Sequence, residues 1–439
     1  MGSSDKLVQG DAFPYPYPPK IVLESGRVEH ISITDTTLRE GQQAFRPFTA
    51  EEALAIHELL SEISGPRGVV KSAELFLYTK RDREIAKVLL DSGLEYPKPV
   101  AWIRAVKSDI DLVAEAGLDE AVILCSSSDY HIRYKLGLSR REAAEKYLEA
   151  IEYALEKGIK VRCSLEDSTR ADVRGFLVPF ATRARELGEK YGIEVEFKLA
   201  DTLGVGLPFS ETSLPRSVPK LVRALISAGI PGSAIEFHGH NDFGLAVANH
   251  LAAWIAGASM SNCTLLGIGE RAGNCPLELM ALAYVGLRGT DDGMNLRALG
   301  RIAALFESMG YEVPESQPLV GSRAFATKAG IHIDGLMKNP AVYLPFDPLE
   351  VLGVPIRVFI TPHSGRAGIA YWISTKYGLS YSKLKSDPRV GAIYEAVLSM
   401  FDGGRVEPLS DEEMEELVAK YMPELRGVQR VDDGREGSG

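Results

Sequence analysis

Two patterns of hydrophobic and polar residues alternate along this chain. Short runs in which apolar residues dominate or alternate with polar ones predict β-strands. Longer stretches with apolar residues three and four positions apart, such as 140–156 and 245–256, predict helices. Eight strand-like runs come before residue 270, at positions 31–35, 69–76, 100–104, 121–125, 160–166, 194–200, 234–240 and 261–268.

The regular succession of strands and helices predicts a parallel sheet, because parallel strands need crossover connections. Eight units within roughly 260 residues favour an α/β fold of the closed (β/α)8 TIM barrel type. An open doubly wound sheet is the alternative. It is disfavoured because no Gly-x-Gly-x-x-Gly motif follows the first strand.

The pattern divides the chain into four parts. Residues 1–28 are rich in Pro and Tyr and predict an extended arm. Residues 29–290 form the predicted barrel, and residues 291–430 a smaller, mostly helical segment. Residues 431–439 are expected to be disordered. Thr49 with Glu52, and Ser410 with Glu413, predict helix starts of the capping-box type.

Composition narrows the class of protein. The 439 residues are 45% hydrophobic and 25% charged, which is typical of a soluble globular protein. A net charge of -11 argues against nucleic acid or a membrane surface as the general partner. The four cysteines are widely spaced, and no long apolar run is present. We therefore expect a reduced, cytoplasmic protein.

Polar residues concentrate where the predicted strands end, which is the face where TIM barrels carry their active sites. At the end of the seventh run, His238 and His240 are separated by one glycine, so they share a face of the strand. Two such imidazoles can bind a divalent metal. Alternatively, they are two packed histidines near a strand end.

The run 160–166 alternates strictly. Arg162, Ser164 and Glu166 share the face that would point to the barrel axis. An arginine there suits a substrate carboxylate, and an internal Arg162–Glu166 ion pair is the alternative.

Two further strand ends carry charged or glycine-rich sequence. Arg39 and Glu40 follow the first strand. Glu40 could supply an oxygen ligand and Arg39 a charge for a developing oxyanion, or the two could form a surface salt bridge. The glycine-rich stretch 267–274 lacks a following Gly-Lys-Ser/Thr, so it is no P-loop. Alternatively, its glycines allow a tight turn that would place Asn274 or Glu270 inward.

Three motifs in this order resemble the barrel family of Claisen-condensing and cleaving metalloenzymes. That family includes isopropylmalate, homocitrate and citramalate synthases and hydroxymethylglutaryl-CoA lyase, and the resemblance covers roughly residues 28 to 375. The motifs are Asp35-Thr36-Thr37-Leu38-Arg39-Glu40-Gly41-x-Gln43, His238-Gly239-His240-Asn241-Asp242 and Gly267-x-Gly269-Glu270-Arg271-x-Gly273-Asn274.

The resemblance implies a role for each site residue. The ligands of one divalent metal, which could be Mn, Co, Mg or Zn, would be Glu40, His238, His240 and Asn274. Arg39 would stabilise the enolate or alkoxide. The 2-oxo acid would be held by Gln43, His131, Ser164, Thr202 and, as in the homocitrate synthase pattern, Arg162.

The catalytic base would be Glu166 or else His332 with Tyr343, where the resemblance implies that His332 comes from the partner subunit of a homodimer. The expected reaction is transfer of an acetyl group from acetyl-CoA to a 2-oxo acid. Oxaloacetate, giving citrate, is the preferred acceptor. Homocitrate, isopropylmalate, citramalate or phosphinomethylmalate synthesis are the near alternatives, and a retro-Claisen acyl-CoA lyase is the alternative from another class.

Overall fold

The computed structural model describes residues 20–24 and 28–425. Most of the predicted N-terminal arm, and the whole predicted tail at 431–439, lie outside the described residues. The chain separates into two compact units, one spanning Lys20–Val313 and the other beginning at Pro314.

The first unit is a closed barrel of eight parallel strands in sequential order. The strands are β1 Ser32–Asp35, β2 Val70–Leu75, β3 Lys98–Arg104, β4 Glu120–Ser126, β5 Lys160–Glu166, β6 Glu196–Asp201, β7 Ile235–Gly239 and β8 Met260–Cys263. Because β8 pairs with β1 from Ser32↔Met260 to Asp35↔Cys263, the sheet has no free edge. The predicted TIM barrel is confirmed.

Each strand leads into a helix on the outside of the barrel. These helices are α1 Ala50–Ser64, α2 Lys80–Asp91, α3 Lys107–Glu115, α4 Arg140–Glu156, α5 Val178–Tyr191, α6 Val218–Ser227, α7 Ala246–Ala256 and α8 Leu277–Arg288. The predicted capping box of α1 is present, with the Thr49 side chain accepting from the amide of Glu52. On β5, the outward residues Val161, Cys163 and Leu165 are fully buried, as the alternation predicts.

The last predicted strand, 261–268, extends too far. β8 ends at Cys263, and Leu265–Gly267 form a 3-10 turn in which Leu266 has φ 59°. The apolar residues Leu265 and Leu266 are buried by this turn rather than by strand pairing. A short apolar run does not by itself distinguish these two ways of burying side chains.

After α8, the first unit ends with a 3-10 helix Leu296–Arg301 and helix α9 Ile302–Ser308. The second unit is mostly helical. It contains α10 Gly330–Lys338, α11 Pro348–Leu352, α12 Gly365–Tyr377, α13 Tyr381–Lys385, α14 Pro388–Asp402 and α15 Asp411–Tyr421. A two-stranded parallel sheet joins β9 Ala326–Thr327 and β10 Arg357–Val358.

The predicted capping box at Ser410 and Glu413 begins α15. The core of the second unit is a cluster of buried aliphatic and aromatic residues from α12, α14 and α15. Among the helices that the structure describes, none has the length and apolar character needed to cross a membrane.

Candidate active site

The two histidines of β7 lie side by side at the C-terminal mouth of the barrel. Their Nε2 atoms are 3.4 Å apart, and both side chains are buried. The glycine between them is anchored to the outer helix α7, because the Gly239 amide donates to His250 Nε2 at 3.0 Å. This bond also leaves the proton of His250 on Nδ1, which lies 2.6 Å from the hydroxyl of Ser261.

Glu40 reaches the same place from β1. It lies on a π-helical turn, Thr37–Gly41, and its Oε1 is 3.8 Å from His238 Nε2. Asp35 anchors the turn by accepting from the amide and hydroxyl of Thr37 at 2.8 and 2.7 Å. One donor atom each from Glu40, His238 and His240 lies within 4.8 Å of the others.

The glycine-rich loop brings Asn274 to this cluster. Gly267 and Gly273 have φ of 67° and 84°, a region that favours glycine, and they turn the chain so that Asn274 is buried. A backbone bridge pairs Asn274 with His240. The side chain of Glu270 is half exposed, so of the two residues considered from the sequence, Asn274 is the one that points inward.

The donor set fits a divalent metal. Glu40 Oε2 and Asn274 Oδ1 are buried oxygens with no hydrogen-bond partner among the described residues. Such atoms are costly unless something binds them. Two imidazole nitrogens and two oxygens are ligands that Mn, Co or Zn accept readily and Mg less so.

The protonation states suit metal binding. Burial, reinforced by the neighbouring His240, holds the pKa of His238 well below its ordinary value. Burial likewise lowers the pKa of His240. Burial opposes ionisation of Glu40, but the positive charge of the neighbouring Arg39 favours it, and the pKa of Glu40 is lowered. Two neutral imidazoles therefore face an ionised carboxylate.

An outer layer of hydrogen bonds orients His238. Its Nδ1 lies 2.8 Å from Asn262 Oδ1, while Asn262 Nδ2 donates to Glu74 at 3.1 Å and to Thr34 at 2.9 Å. Because the amide oxygen can only accept, Nδ1 carries the proton and the lone pair of Nε2 faces the cluster.

Arg39 is buried beside the cluster, which excludes the surface salt bridge considered from the sequence. Its Nη2 donates to Glu40, and its Nε lies 3.4 Å from Glu74. The guanidinium also lies over the ring of Trp102, 5.0 Å from its centroid. These three contacts fix a positive charge against the predicted ligand Glu40.

Arg162 points into the barrel near the N-terminal ends of the strands, where it contacts three carboxylates. It lies 2.5 Å from Glu120, 2.8 Å from Glu196 and 3.1 Å from Glu236. The alternative pairing with Glu166 is therefore wrong. Each of its three nitrogens already has a carboxylate partner, because the first positions of β4 and β6 flank it in the ring of strands.

Glu166 instead binds groups of the barrel mouth. Lys135 Nζ donates to both of its oxygens at 2.8 and 2.9 Å, His131 Nδ1 lies 2.9 Å away, and Ser126 donates to it. Burial would raise the pKa of Glu166, but His131, Lys135 and Ser126 lower it to about 2.

The other predicted substrate contacts are placed as follows. Ser164 is buried on the inward face of β5. Thr202 accepts from the amide of Asp167 at 2.9 Å. Gln43 is exposed on the short helix Gln42–Ala44. In the second unit, the rings of His332 and Tyr343 are 4.5 Å apart, and both side chains are exposed.

A sequence model of the HMGL-like family matches residues 30–306, and one for the homocitrate synthase post-HMGL domain matches residues 319–396. The chain belongs to the HMGL-like family. Within that family, a citrate (Re)-synthase from Syntrophus aciditrophicus is 43% identical over 95% of this chain and 68% of the relative. A citrate (Re)-synthase from Clostridium kluyveri is 42% identical and covers 94% of each chain.

The fold comparison agrees with the barrel architecture. The crystal structure of hydroxymethylglutaryl-CoA lyase from Pseudomonas aeruginosa has a TM-score of 0.54 at 19% identity, over 68% of this chain and 97% of that chain. At this identity, the likeness concerns the barrel fold.

Three residues that build the site were not among the sequence predictions, namely Lys135, Lys198 and Asn262. Lys198 and Asn262 are polar residues at inward positions of β6 and β8. Their signal was available in the sequence, since a polar side chain at an inward strand position needs a buried partner. Lys135 lies one helical turn after His131, so the two can reach the same carboxylate.

Proposed function

We propose that this chain is a Re-type citrate synthase, which condenses acetyl-CoA with oxaloacetate to give citrate and CoA. The observation that carries the proposal is the buried cluster of Arg39, Glu40, His238 and His240 at the mouth of the barrel. It stands in a chain that aligns over nearly its whole length with citrate (Re)-synthases.

Glu40, His238, His240 and Asn274 are the residues that would hold one divalent metal, which could be Mn, Co, Mg or Zn. When bound, the metal supplies Lewis-acid polarisation of the keto carbonyl of the 2-oxo acid. The support for this ligand set is the pair of unpartnered buried oxygens on Glu40 and Asn274.

Arg39 would stabilise the negative charge that moves onto oxygen during condensation. Its guanidinium is held by Glu40, Glu74 and Trp102, so no reorganisation is needed as that charge develops. A preorganised donor of this kind typically contributes about 10²–10³ to kcat.

The 2-oxo acid would be bound by Ser164, Thr202, Gln43 and the pair of His131 with Glu166. We do not carry Arg162 into this set, because its three nitrogens already contact Glu120, Glu196 and Glu236. It belongs to the buried network of ion pairs in the barrel interior instead.

Two candidate bases for the methyl proton of acetyl-CoA remain, and we favour His332. A carboxylate with a pKa of about 2, such as Glu166, is a weak proton acceptor at neutral pH. Glu166 would rather orient His131. An imidazole nitrogen of His332, whose ring lies 4.5 Å from that of Tyr343, would take the proton in the barrel site of a partner subunit of a homodimer.

We also place the enzyme in the cytoplasm. All four cysteines are free and buried, as expected in a reducing compartment.

The test is CoA-thiol release from acetyl-CoA with Mn²⁺, with oxaloacetate, 2-oxoglutarate, pyruvate and 2-oxoisovalerate as acceptors, each with and without chelator. We expect release with oxaloacetate that is lost on chelation. His238→Ala should lose both metal and turnover. The matched control His57→Phe alters a buried histidine of α1 outside the site and should keep both at neutral pH.

Preference for another acceptor would keep the chemistry and change the substrate. Absence of thiol release with all four acids would overturn the proposal and favour the retro-Claisen lyase. That activity is tested by cleavage of a 3-hydroxy-3-carboxymethyl acyl-CoA thioester.

A further inference from the structure

Lys198 is a fully buried lysine in the middle of the barrel. It lies at an inward position of β6, where Nζ donates to Glu74 and lies 3.1 Å from Glu236. In the pairing of β5 with β6, Lys198 is the register partner of Ser164, a proposed substrate contact. Thr202, another proposed contact, is the first residue after the end of β6. The residue that carries the ammonium is therefore a direct strand neighbour of one position of the proposed acid-binding site, Ser164.

The partners of Lys198 connect it to the reacting end of the site. Glu74 lies 3.4 Å from Arg39 Nε through one oxygen. Its other oxygen accepts from Asn262, which orients His238. One carboxylate thus separates the ammonium from the proposed oxyanion-stabilising charge.

Both carboxylate partners of Lys198 have other donors. Glu74 also accepts from Thr36 at 3.1 Å and from Asn262. Glu236 also accepts from Thr34 at 2.5 Å and from Arg162 at 3.1 Å. The ammonium has three N–H donors and two carboxylate partners here. It can therefore direct an N–H toward a ligand without leaving Glu74 or Glu236 unpaired.

Four other cationic side chains near the site bind other groups. Arg39 donates to Glu40 and is the proposed oxyanion-stabilising residue, and Arg162 is bound by three carboxylates. Arg271 donates through a fork to Asp242. Lys135 bridges both oxygens of Glu166, and its side chain is half exposed. Lys198 alone of these five combines full burial, a spare donor and a register position beside Ser164.

We propose that Lys198 is a specificity-determining residue whose ammonium binds the second carboxylate of a dicarboxylic 2-oxo acid. This inference rests on the proposed function and specifies its acceptor. A monocarboxylic acid would leave the third N–H of the buried ammonium without an acceptor, so the site should discriminate against it.

The test uses the full-length, Mn²⁺-loaded protein and compares oxaloacetate with pyruvate, which lacks the second carboxylate. The first variant is Lys198→Met. The second, Lys198→Met with Glu74→Gln, removes one charge of each sign and so avoids an unpaired buried carboxylate. Lys135→Met is the matched control, a lysine removed from a different carboxylate near the site. Circular dichroism and thermal melts check that each variant folds.

Two readouts are needed. In thiol release, both Lys198 variants should lower the ratio of kcat/KM for oxaloacetate to that for pyruvate by about 10²–10³, mainly through KM. In calorimetry without acetyl-CoA, they should lose affinity for oxaloacetate but not for pyruvate. Lys135→Met should affect both acids together.

An unchanged ratio in a folded Lys198 variant would overturn the inference. Equal losses for both acids would do so too, because they would mark a purely structural role. If wild-type protein releases no thiol, the proposed function fails first, and calorimetry with oxaloacetate and 2-oxoglutarate still decides the role of Lys198. Wild-type preference for dicarboxylates that disappears in the variants would retain it, and absence of that preference would refute it.

Discussion

Asn262→Ala isolates the outer hydrogen bond of the proposed metal centre. The substitution removes the acceptor 2.8 Å from His238 Nδ1, together with the donor to Glu74 and Thr34. None of the four proposed ligands is altered. His238 can then rotate or change tautomer, so that Nε2 no longer presents its lone pair to the metal.

The magnitude follows from these contacts. Loss of an outer partner of a metal-bound histidine costs about 10–100-fold in metal affinity. That loss corresponds to about 1.4–2.8 kcal/mol. Glu74 keeps Lys198 and Thr36 as donors, so the network around it persists. The fold should lose about 1–3 kcal/mol, the usual cost of leaving one buried polar group without its partner.

The assay is competition for Mn²⁺ or Zn²⁺ with a chromophoric chelator, alongside urea unfolding of the same preparations. Asn249→Ala is the control, since Asn249 is also a buried asparagine and donates to the carbonyl of Gly206 at 3.0 Å from α7. We expect the control to lose stability but not metal affinity. A folded Asn262→Ala protein with wild-type metal affinity would refute the argument that this amide orients His238.

Three other outcomes are expected. Arg39→Lys keeps the charge but loses the fork, so kcat should fall about 10²-fold or more while metal content stays at the wild-type level; full activity would remove Arg39 from its proposed role. Burial lowers the pKa of His57 from 6.5 to about 4. The unfolded chain therefore takes up a proton below pH 6.5 that the folded chain refuses, and stability falls by about 2 kcal/mol between pH 7.5 and 5. His57→Phe should flatten that slope in urea titrations at several pH values, and an unchanged slope would contradict the assignment. At Gly269 an added Cβ would overlap the side-chain Nδ2 of Asn274. Gly269→Ala should therefore displace the Asn274 side chain and weaken metal binding in the chelator assay. An undiminished affinity would show that Asn274 is not a ligand.

Local features of this protein were determined by the sequence alone. The strict alternation of β5 predicted which residues face the barrel axis, and the bounds 160–166 agree with the structure. The common orientation of His238 and His240 follows from their spacing on one strand. The capping boxes at Thr49 and Ser410 depend on residues three positions apart. Each of these features involves groups that are close in the chain, where backbone geometry leaves few choices.

Only the tertiary structure decided which inward side chains meet. Asn262 contacts Thr34 across 228 positions, and Lys198 contacts Glu74 across 124. Closure of the ring brings β8 beside β1, and the stagger between strands sets which inward residues share a layer. Alternation along one strand tells whether a side chain points inward but carries no information about that stagger. For this reason the sequence placed Arg162 on the axis but assigned it the wrong alternative partner, whereas the barrel gives it three carboxylates and leaves Lys198 beside Ser164.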